Sequence, residues 1–432
     1  MVIKITTNVK NFLKHIIVLL CLPLVLNQAV AQVENWTHFR GSRLNGIAKT
    51  EAPVFFNDTL NVNWETEIFG KGLSSPVIFG DQIWITTASA DGKELFALCL
   101  DFETGDILHK IGLFTTDSAI RVNNLNSYAT PTPCIESGFV YAHFGSFGTA
   151  CINTSSGEVV WKRTDLKCDH MQGPGSSPVL YNDLLILHFD GNDVRFIVAL
   201  NKTTGDIVWR TDRPAEIYAQ INELSRKAYI TPVIITVNGN DMLISNGAGI
   251  CSAYEPETGK EIWRVVRGEG GTISMPFYEN GVVYYYTGGL TNASGKKISE
   301  ILAINPNGAG DITNSGIRWR KEVEPLQLLT PVVKNGLIYT VDTKNILTCI
   351  DAETSETIWT QKLKDKYNSS PIYASGKIYF CSVGGDVLVI REGRKPDVLD
   401  QNQMDGAIWA TPAILRRSII LRTINTIYRI SE

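Results

Sequence analysis

A pair of motifs that recurs along the chain constrains its fold more than any other feature. The opening motif is Ser-Pro, Thr-Pro or once Met-Pro before an apolar run, and it occurs eight times. Its prolines are Pro76, Pro131, Pro178, Pro232, Pro276, Pro331, Pro371 and Pro412. The closing motif, as in residues 201–209 (NKTTGDIVW), recurs in phase with it. Intervals of 40 to 55 residues between the prolines match the size of a propeller blade and exceed that of a leucine-rich or helix-pair repeat.

Each repeat contains short β-prone runs separated by turn residues. In the third repeat, four runs cover residues 179–181, 184–189, 196–200 and 207–209, with Asn, Asp and Gly between them. This pattern predicts a four-stranded antiparallel meander. One meander cannot bury its own apolar faces, so it must stack on neighbours of the same kind. We therefore predict an all-β fold, an eight-bladed β-propeller.

The two ends of the chain complete each other in this fold. The eighth repeat has runs at residues 418–422 and 424–430, and the sequence then stops one strand short of a full blade. An isolated strand at residues 61–68, which carries Trp64, precedes the first repeat. We predict that this N-terminal strand completes the last blade, because a closed ring leaves no free sheet edge.

The last strand of most repeats ends in a tryptophan. Its large amphipathic ring can dock against the next blade, and His109 takes the same place in the first repeat. We interpret His109 as structural. The predicted structural docking residues are Trp64, Trp161, Trp209, Trp263, Trp319 and Trp359.

The cysteines fall into two groups by their position in the repeats. Cys99, Cys151 and Cys349 share a repeat position that holds alanine elsewhere, which indicates small buried core residues. The remaining cysteines after residue 31 leave a disulfide bridge open, since an exported protein folds in an oxidising compartment. These four are Cys134, Cys168, Cys251 and Cys381.

The N-terminus has the pattern of an export signal. Three lysines precede an apolar run at residues 15–25, and small residues follow at 29–31. We predict a cleaved signal peptide over residues 1–31 and a single propeller domain over residues 32–432. The alternative, a membrane anchor, fits less well because Pro23 interrupts a run shorter than the roughly 20 residues that span a bilayer. Cys21 leaves lipid anchoring open. The expected location is periplasmic or extracellular, with no membrane span after cleavage.

The two motifs resemble the pyrroloquinoline-quinone-like (PQQ-like) β-propeller repeat. That repeat is shared by quinoprotein alcohol dehydrogenases and by the propeller lipoprotein of the outer-membrane protein assembly machinery, and the resemblance covers residues 36–432. Residues 36–41 (WTHFRG) and 173–178 (GPGSSP) also resemble motifs of exported bacterial propellers. The resemblance implies the fold strongly and the function weakly.

Resemblance to the dehydrogenases would imply adjacent cysteines against the quinone and a calcium ion held by Glu, Asn and Asp. The sequence has no adjacent cysteines, and its repeats do not assemble the six to eight oxygen ligands that calcium takes. We therefore expect no catalytic residue, no PQQ and no metal. Residues 190–193 (DGND) could share a cation, but a hairpin turn explains them better. Residues 308–311 (GAGD) are interpreted as an insertion between strands rather than a phosphate loop.

The loops before the opening motifs should meet at one mouth of the channel. They supply the predicted ligand contacts Tyr128, His170, Tyr229, Asn368 and Trp409. Aromatic, hydroxyl and amide groups suit peptide or glycan, whereas a formal charge of −4 argues against nucleic acid. The alternative is that these residues only close the top of the core.

We expect a monomeric, exported, non-catalytic binding or assembly scaffold of the cell envelope with a protein or glycan partner. The alternative is an enzyme, either PQQ-dependent or carbohydrate-active.

Overall fold

Eight antiparallel sheets follow one another around a central channel, as the repeats predict. The structure is a computed structural model that describes Met1 and residues 34–117, 121–326 and 328–432. Apart from Met1, the predicted signal peptide and Cys21 lie outside the described residues, so the predicted cleavage stays a prediction. Within the described ranges, no helix is long and apolar enough to cross a membrane.

The four strands of each blade are named A to D from the channel outwards. Blades 1 to 4 consist of Val77–Phe79, Gln82–Ala88, Glu94–Asp101, Ile107–Thr115; Cys134–Glu136, Phe139–His143, Thr149–Asn153, Val159–Arg163; Val179–Tyr181, Leu184–Asp190, Arg195–Asn201, Ile207–Asp212; and Val233–Val237, Asn240–Gly247, Ile250–Tyr254, Glu261–Val266. Blades 5 to 8 consist of Phe277–Glu279, Val282–Tyr286, Lys297–Ile304, Ile317–Val323; Val332–Lys334, Leu337–Val341, Ile346–Asp351, Thr357–Lys362; Ile372–Ala374, Lys377–Cys381, Asp386–Arg391, Val398–Gln403; and Ala413–Leu415, Ser418–Arg422, Thr426–Ser431, Val62–Glu67.

Short elements decorate this ring. Small strands at Ile47–Ala48, Leu290–Thr291 and Gly310–Asp311 add to blades 7, 5 and 4. The helices are one α-helical turn, Ala215–Tyr218, and two 3-10 turns, Gly145–Phe147 and Glu223–Ser225.

The N-terminal strand completes the last blade and closes the ring, as predicted. Val62–Glu67 pairs antiparallel with Thr426–Ser431 as strand D of blade 8. Trp64, on this strand, donates its indole N–H to the carbonyl of Phe102 in blade 1 at 3.0 Å. The N-terminal strand therefore completes the last blade and also docks it on the first.

The opening motif of blade 2 is Thr132-Pro133, so its assignment to Thr130-Pro131 was wrong. Strand A of this blade begins at Cys134, directly after Pro133, as every other strand A begins directly after its motif proline. Thr130 instead holds the preceding loop, where its hydroxyl donates to Asn126 Oδ1 at 2.5 Å. The error arose because the sequence offers two identical dipeptides two residues apart.

The docking tryptophans contact the next blade through one repeated hydrogen bond. The indole N–H of Trp209 donates to the carbonyl of Pro256 at 3.0 Å, directly after the acidic residue that begins the closing turn of blade 4. Trp161, Trp319 and Trp359 make the equivalent bond to Lys202, Ala352 and Gly393. Trp263 is the exception: it is fully buried, but its indole nitrogen has no hydrogen-bond partner within the described ranges.

The glycine of the closing turn is needed for two reasons. Gly205 has a φ of 80°, a left-handed conformation that glycine adopts without steric cost. A Cβ at this position would also lie 2.9 Å from the ring of Trp161. The turn and the docked ring therefore require the same residue.

Residues 34–50, named the plug segment, cross the channel. Trp36 exchanges two backbone hydrogen bonds with Ile78 of blade 1, and Ile47–Ala48 pairs parallel with strand A of blade 7. Between them, His38 Nε2 accepts from the backbone N–H of Leu180 in blade 3 at 3.1 Å. The segment thus satisfies backbone groups on the free inner edges of the A strands.

Candidate ligand cavity at the channel mouth

A cavity of about 250 Å³ lies where the loops before the A strands meet. The plug segment contributes Phe39, and the other apolar lining residues include Leu73, Ile273, Leu328 and Trp409. We name this space the mouth cavity. Its size falls just below the usual range of ligand pockets, roughly 300 to 1,000 Å³.

Seven hydroxyl side chains, one from each blade except blade 5, form a ring in the wall of the mouth cavity. They are the first residues of the opening motifs: Ser75, Thr132, Ser177, Thr231, Thr330, Ser370 and Thr411. Each hydroxyl oxygen accepts a hydrogen bond from the backbone N–H of the preceding blade's motif residue at 2.9 to 3.0 Å. We name these residues the hydroxyl ring. It joins the blades because each oxygen satisfies a buried backbone donor.

The hydroxyl ring keeps hydrogen-bonding capacity for a ligand. A serine or threonine hydroxyl has one donor hydrogen and two acceptor lone pairs. In the described part of the chain, none of the seven donates its own hydrogen to another group. The wall can therefore donate hydrogen bonds towards the channel axis from all sides but one.

The hydroxyl ring is interrupted between blades 4 and 5. Met275 takes the place of the hydroxyl residue there, so the backbone of Thr231 has no side-chain oxygen to donate to. Met275 and Ile273 make this side of the wall apolar. The mouth cavity consequently has a polar arc and an apolar gap.

Three of the five predicted contact residues meet at the mouth cavity. Tyr229, Asn368 and Trp409 are among its lining residues. Asn368 is only 6% exposed, and its Oδ1 has no hydrogen-bond partner among the residues that the structure describes. A buried polar atom without a partner costs free energy, which marks Asn368 as a group that a ligand can satisfy.

The other two predicted residues lie elsewhere. Tyr128 packs against the ring of Phe147 with centroids 6.4 Å apart. His170 is buried, and its Nε2 accepts from the backbone N–H of Ser146 at 3.1 Å. Burial lowers the pKa of His170 to about 4, so the ring is neutral and acts as an acceptor. The structure does not place either residue in the cavity wall.

Two parts of the site were missed from the sequence. The hydroxyl residues were treated only as strand openings, although their recurrence was the available signal. Phe39 lies in the plug segment, whose contacts with the A strands have no sequence periodicity. The plug segment also brings in Arg40, a fully buried residue that donates to the carbonyl of Pro331 at 2.9 Å.

A serine, a histidine and an aspartate also meet inside blades 3 and 4. His188 Nδ1 lies 3.2 Å from Ser245 Oγ, and its Nε2 lies 3.5 Å from Asp190. Arg213 donates to Ser245 Oγ at 2.8 Å and pairs with Asp190 at 3.3 Å. Arg213 thus occupies the groups that a catalytic triad would use, and the histidine and aspartate side chains have no exposed surface. We interpret this set as a buried structural network.

The mouth cavity does not fit PQQ with calcium. Among its described lining residues there is no Asp, Glu, Lys, Arg or His. A carboxylated quinone needs cationic partners, and calcium needs charged oxygen ligands. The described residues also contain no cluster of three His, Cys, Asp or Glu that could hold a metal ion.

The seven described cysteines are all buried free thiols. The four that left a bridge open are therefore unpaired in the structure. Cys99, Cys151 and Cys349 lie opposite His109, Trp161 and Trp359 in the sheet register, as expected of one shared core position. Burial raises the pKa of Cys251 and Cys381 to about 12, so these thiols are unreactive.

Comparison with known proteins agrees with the repeat motifs. The family model described as outer membrane protein assembly factor BamB matches residues 194–308 and 299–396. The matched residues, a little under half of the chain, are similar to the PQQ-like β-propeller repeat. The matched residues extend from strand C of blade 3 into blade 7.

Two curated relatives represent different functions. The tetrathionate hydrolase of Acidithiobacillus ferrooxidans is 22% identical over 277 residues, which cover 57% of this chain and 54% of that protein. The outer membrane protein assembly factor BamB of Moranella endobia is 24% identical over 264 residues, which cover 58% of this chain and 60% of that protein. The chain thus spans little more than half the length of these relatives.

Solved structures show the same fold. BamB from Moraxella catarrhalis superposes with a TM-score of 0.59 and 11% identity, covering 85% of this chain and 99% of that one. The quinohemoprotein alcohol dehydrogenase from Comamonas testosteroni gives a TM-score of 0.64 and 11% identity, covering 91% and 80%. At this identity the likeness concerns the fold alone.

Proposed function

We propose that this protein is a non-catalytic binding scaffold of the cell envelope and that its partner, a protein, docks at the channel mouth. The observation that carries the proposal is the mouth cavity, which is lined by apolar and hydrogen-bonding side chains but by no ionisable acid or base other than Tyr229 among its described lining residues. Such a surface suits binding, whereas general acid–base catalysis needs a group that exchanges protons near neutral pH. Burial raises the pKa of Tyr229 further above its ordinary value.

The relatives also support a scaffold function. Relatives named as outer membrane protein assembly factor BamB match more than half of this chain. An assembly role for this chain would place it in the periplasm after export, in keeping with the predicted signal peptide. The tetrathionate hydrolase and the dehydrogenase share the repeat or the fold with this chain, so an enzyme is the competing proposal.

The test is site-specific photo-crosslinking in intact envelopes. A photoreactive residue at Leu125 or Ile273, both about one-third exposed on the cavity rim, should give a discrete adduct with an envelope protein. The matched control is Glu257, which is exposed in a C–D turn. The C–D turns lie on the opposite face, because the A strands start at the mouth and successive strands are antiparallel.

Equal adducts from both faces, or none from the rim, would contradict the proposal. Turnover of tetrathionate, or dye-linked oxidation of alcohols or sugars after addition of PQQ and calcium, would establish the enzyme instead.

A further inference from the structure

The polar arc of the mouth cavity surrounds the channel axis. Seven hydroxyls from seven blades line the cavity, and Asn368 adds a buried amide whose oxygen has no partner among the described residues. Together they can both donate and accept hydrogen bonds around a central ligand. An extended peptide presents its polar groups on two sides only, whereas a sugar ring carries hydroxyls around its whole edge.

Apolar side chains line another part of the mouth cavity, beside the amides of Asn123, Asn126 and Gln172. Phe39 contributes an aromatic ring from the plug segment, and Trp409 and Tyr229 add two more from the loops. Met275 fills the gap in the hydroxyl ring. Aromatic surfaces bury flat apolar groups well, and the carbon-bound hydrogens of a sugar ring form such a face. The cavity therefore combines the two kinds of surface that a pyranose needs.

The absence of charge among the described lining residues limits the ligand further. A carboxylate or ammonium group that enters this space loses its hydration without gaining an ion-pair partner, and that loss is costly. A volume of about 250 Å³ lies just below that of the usual ligand pocket. The space accordingly suits one small neutral ring rather than an oligomer.

We propose that the mouth cavity binds one uncharged pyranose sugar, free or as the end group of a glycan. This inference rests on the proposed scaffold function, since it gives the same mouth a ligand class. Asn368 and the hydroxyl ring contact the sugar hydroxyls, and Phe39 and Trp409 pack against its apolar face.

The test is titration of the full exported protein, by calorimetry or ligand-detected NMR, with four monosaccharides of similar size. Glucose and N-acetylglucosamine are neutral, whereas glucuronate is an anion and glucosamine is a cation at pH 7. At least one neutral sugar should bind about tenfold or more tightly than both charged analogues, because the cavity cannot compensate the lost hydration of a charge. Equal binding of charged and neutral sugars, no binding of either neutral sugar, or tighter binding of an end-blocked dipeptide would overturn the proposal.

Variants locate the binding in the cavity. Asn368→Leu should weaken binding of the neutral sugar about tenfold, the effect of losing roughly 1.4 kcal/mol of hydrogen bonding. Asn63→Leu, at an exposed asparagine on strand D of blade 8, is the control and should leave binding unchanged. Trp409→Phe keeps an aromatic ring and should retain most of the affinity, whereas Trp409→Ala should not. Sugar binding that is insensitive to Asn368 and Trp409 would place the site elsewhere.

The two proposals fail separately. Absence of sugar binding alongside rim-specific crosslinking leaves the scaffold function standing and removes the sugar. Sugar binding without any rim adduct does the reverse.

Discussion

The junction between blades 4 and 5 is built differently from the other seven. At every other junction, a motif hydroxyl accepts a backbone N–H from the preceding blade. Here Met275 replaces the hydroxyl, and on the outer side Trp263 lacks the carbonyl that Trp209 uses one blade earlier. Both repeated contacts are absent at the same place.

An inserted strand stabilises this junction in place of the two missing contacts. Gly310–Asp311 pairs parallel with strand D of blade 4, and Ile312 packs beside Trp263 in the same core cluster. Across the junction, Arg267 makes two hydrogen bonds of 2.6 and 2.8 Å to the carboxylate of Glu300. The repeat motifs therefore specify most junctions of the ring. At the one junction without both contacts, inserted residues and an ion pair replace them. This junction lies beside the mouth cavity.

The largest effect is expected from acid, which acts on buried histidines of the plug segment, of blades 2 and 3 and of the loop between these blades. Burial lowers the pKa of His38, His170 and His188 to about 4 and that of His143 to about 3. Their unfolded forms titrate near 6.5, so unfolding takes up protons and the stability present above pH 6.5 is lost as the pH falls towards 4. The free energy of unfolding should drop by up to about 1.4 kcal/mol per pH unit for each histidine.

Urea unfolding at pH values from 8 to 4.5 measures this loss. Stability that stays constant from pH 7 to 5 would show that these histidines are not buried as neutral groups.

The next largest effect is expected at the inserted segment between blades 4 and 5. Ile312→Ala should cost about 2 to 5 kcal/mol, because Ile312 is 3% exposed and its truncation leaves a cavity. Ile424→Ala, at a 37% exposed isoleucine, is the control and should cost under about 0.5 kcal/mol. Similar midpoints for both variants in urea unfolding would mean that the insertion does not stabilise the junction.

The hydroxyl ring gives a matched pair of smaller effects. Thr330→Val removes the acceptor of the Met275 backbone N–H and should cost about 1 to 3 kcal/mol. Met275→Leu keeps volume and breaks no side-chain hydrogen bond, so it should cost under about 1.5 kcal/mol. Denaturant unfolding of the ligand-free protein measures both, and a larger cost for Met275→Leu would refute the role assigned to the ring.

The smallest effect separates the two tryptophans. Trp209→Phe loses an indole hydrogen bond, whereas Trp263→Phe loses an indole nitrogen that has no partner. Trp209→Phe should therefore cost about 0.5 to 1.5 kcal/mol more than Trp263→Phe in thermal or urea unfolding. The reverse order would contradict the comparison.

The sequence was sufficient to predict the ring of blades but not the residues that meet in the central channel. The eight opening motifs predicted the blades, and the isolated strand around Trp64 predicted how the ring closes. Both could be predicted because strand periodicity and turn residues are local signals. The assignment to Thr130 failed because the sequence offers two Thr-Pro dipeptides two residues apart, and only the fold shows that strand A begins at Cys134 and that Thr130 bonds to Asn126 in the preceding loop.

The mouth cavity depends on contacts that no local pattern records. Phe39 reaches it through the plug segment, which is held on the A strands by isolated hydrogen bonds and one two-residue strand. Tyr229, Asn368 and Trp409 were found because each precedes an opening motif, and His170 satisfies the same criterion yet turns into the core. Position in the repeat thus identified candidates, while side-chain direction needed the fold.

The most direct test of the account is crosslinking yield from Ile273 in three variants that remain folded at 25 °C. Asn368→Leu and Trp409→Ala change the mouth cavity, whereas Trp209→Phe changes only an outer junction. The account predicts that the first two lose the envelope adduct without loss of stability, and that Trp209→Phe loses stability without loss of the adduct. An adduct that survives both cavity variants, or disappears in Trp209→Phe, would contradict it.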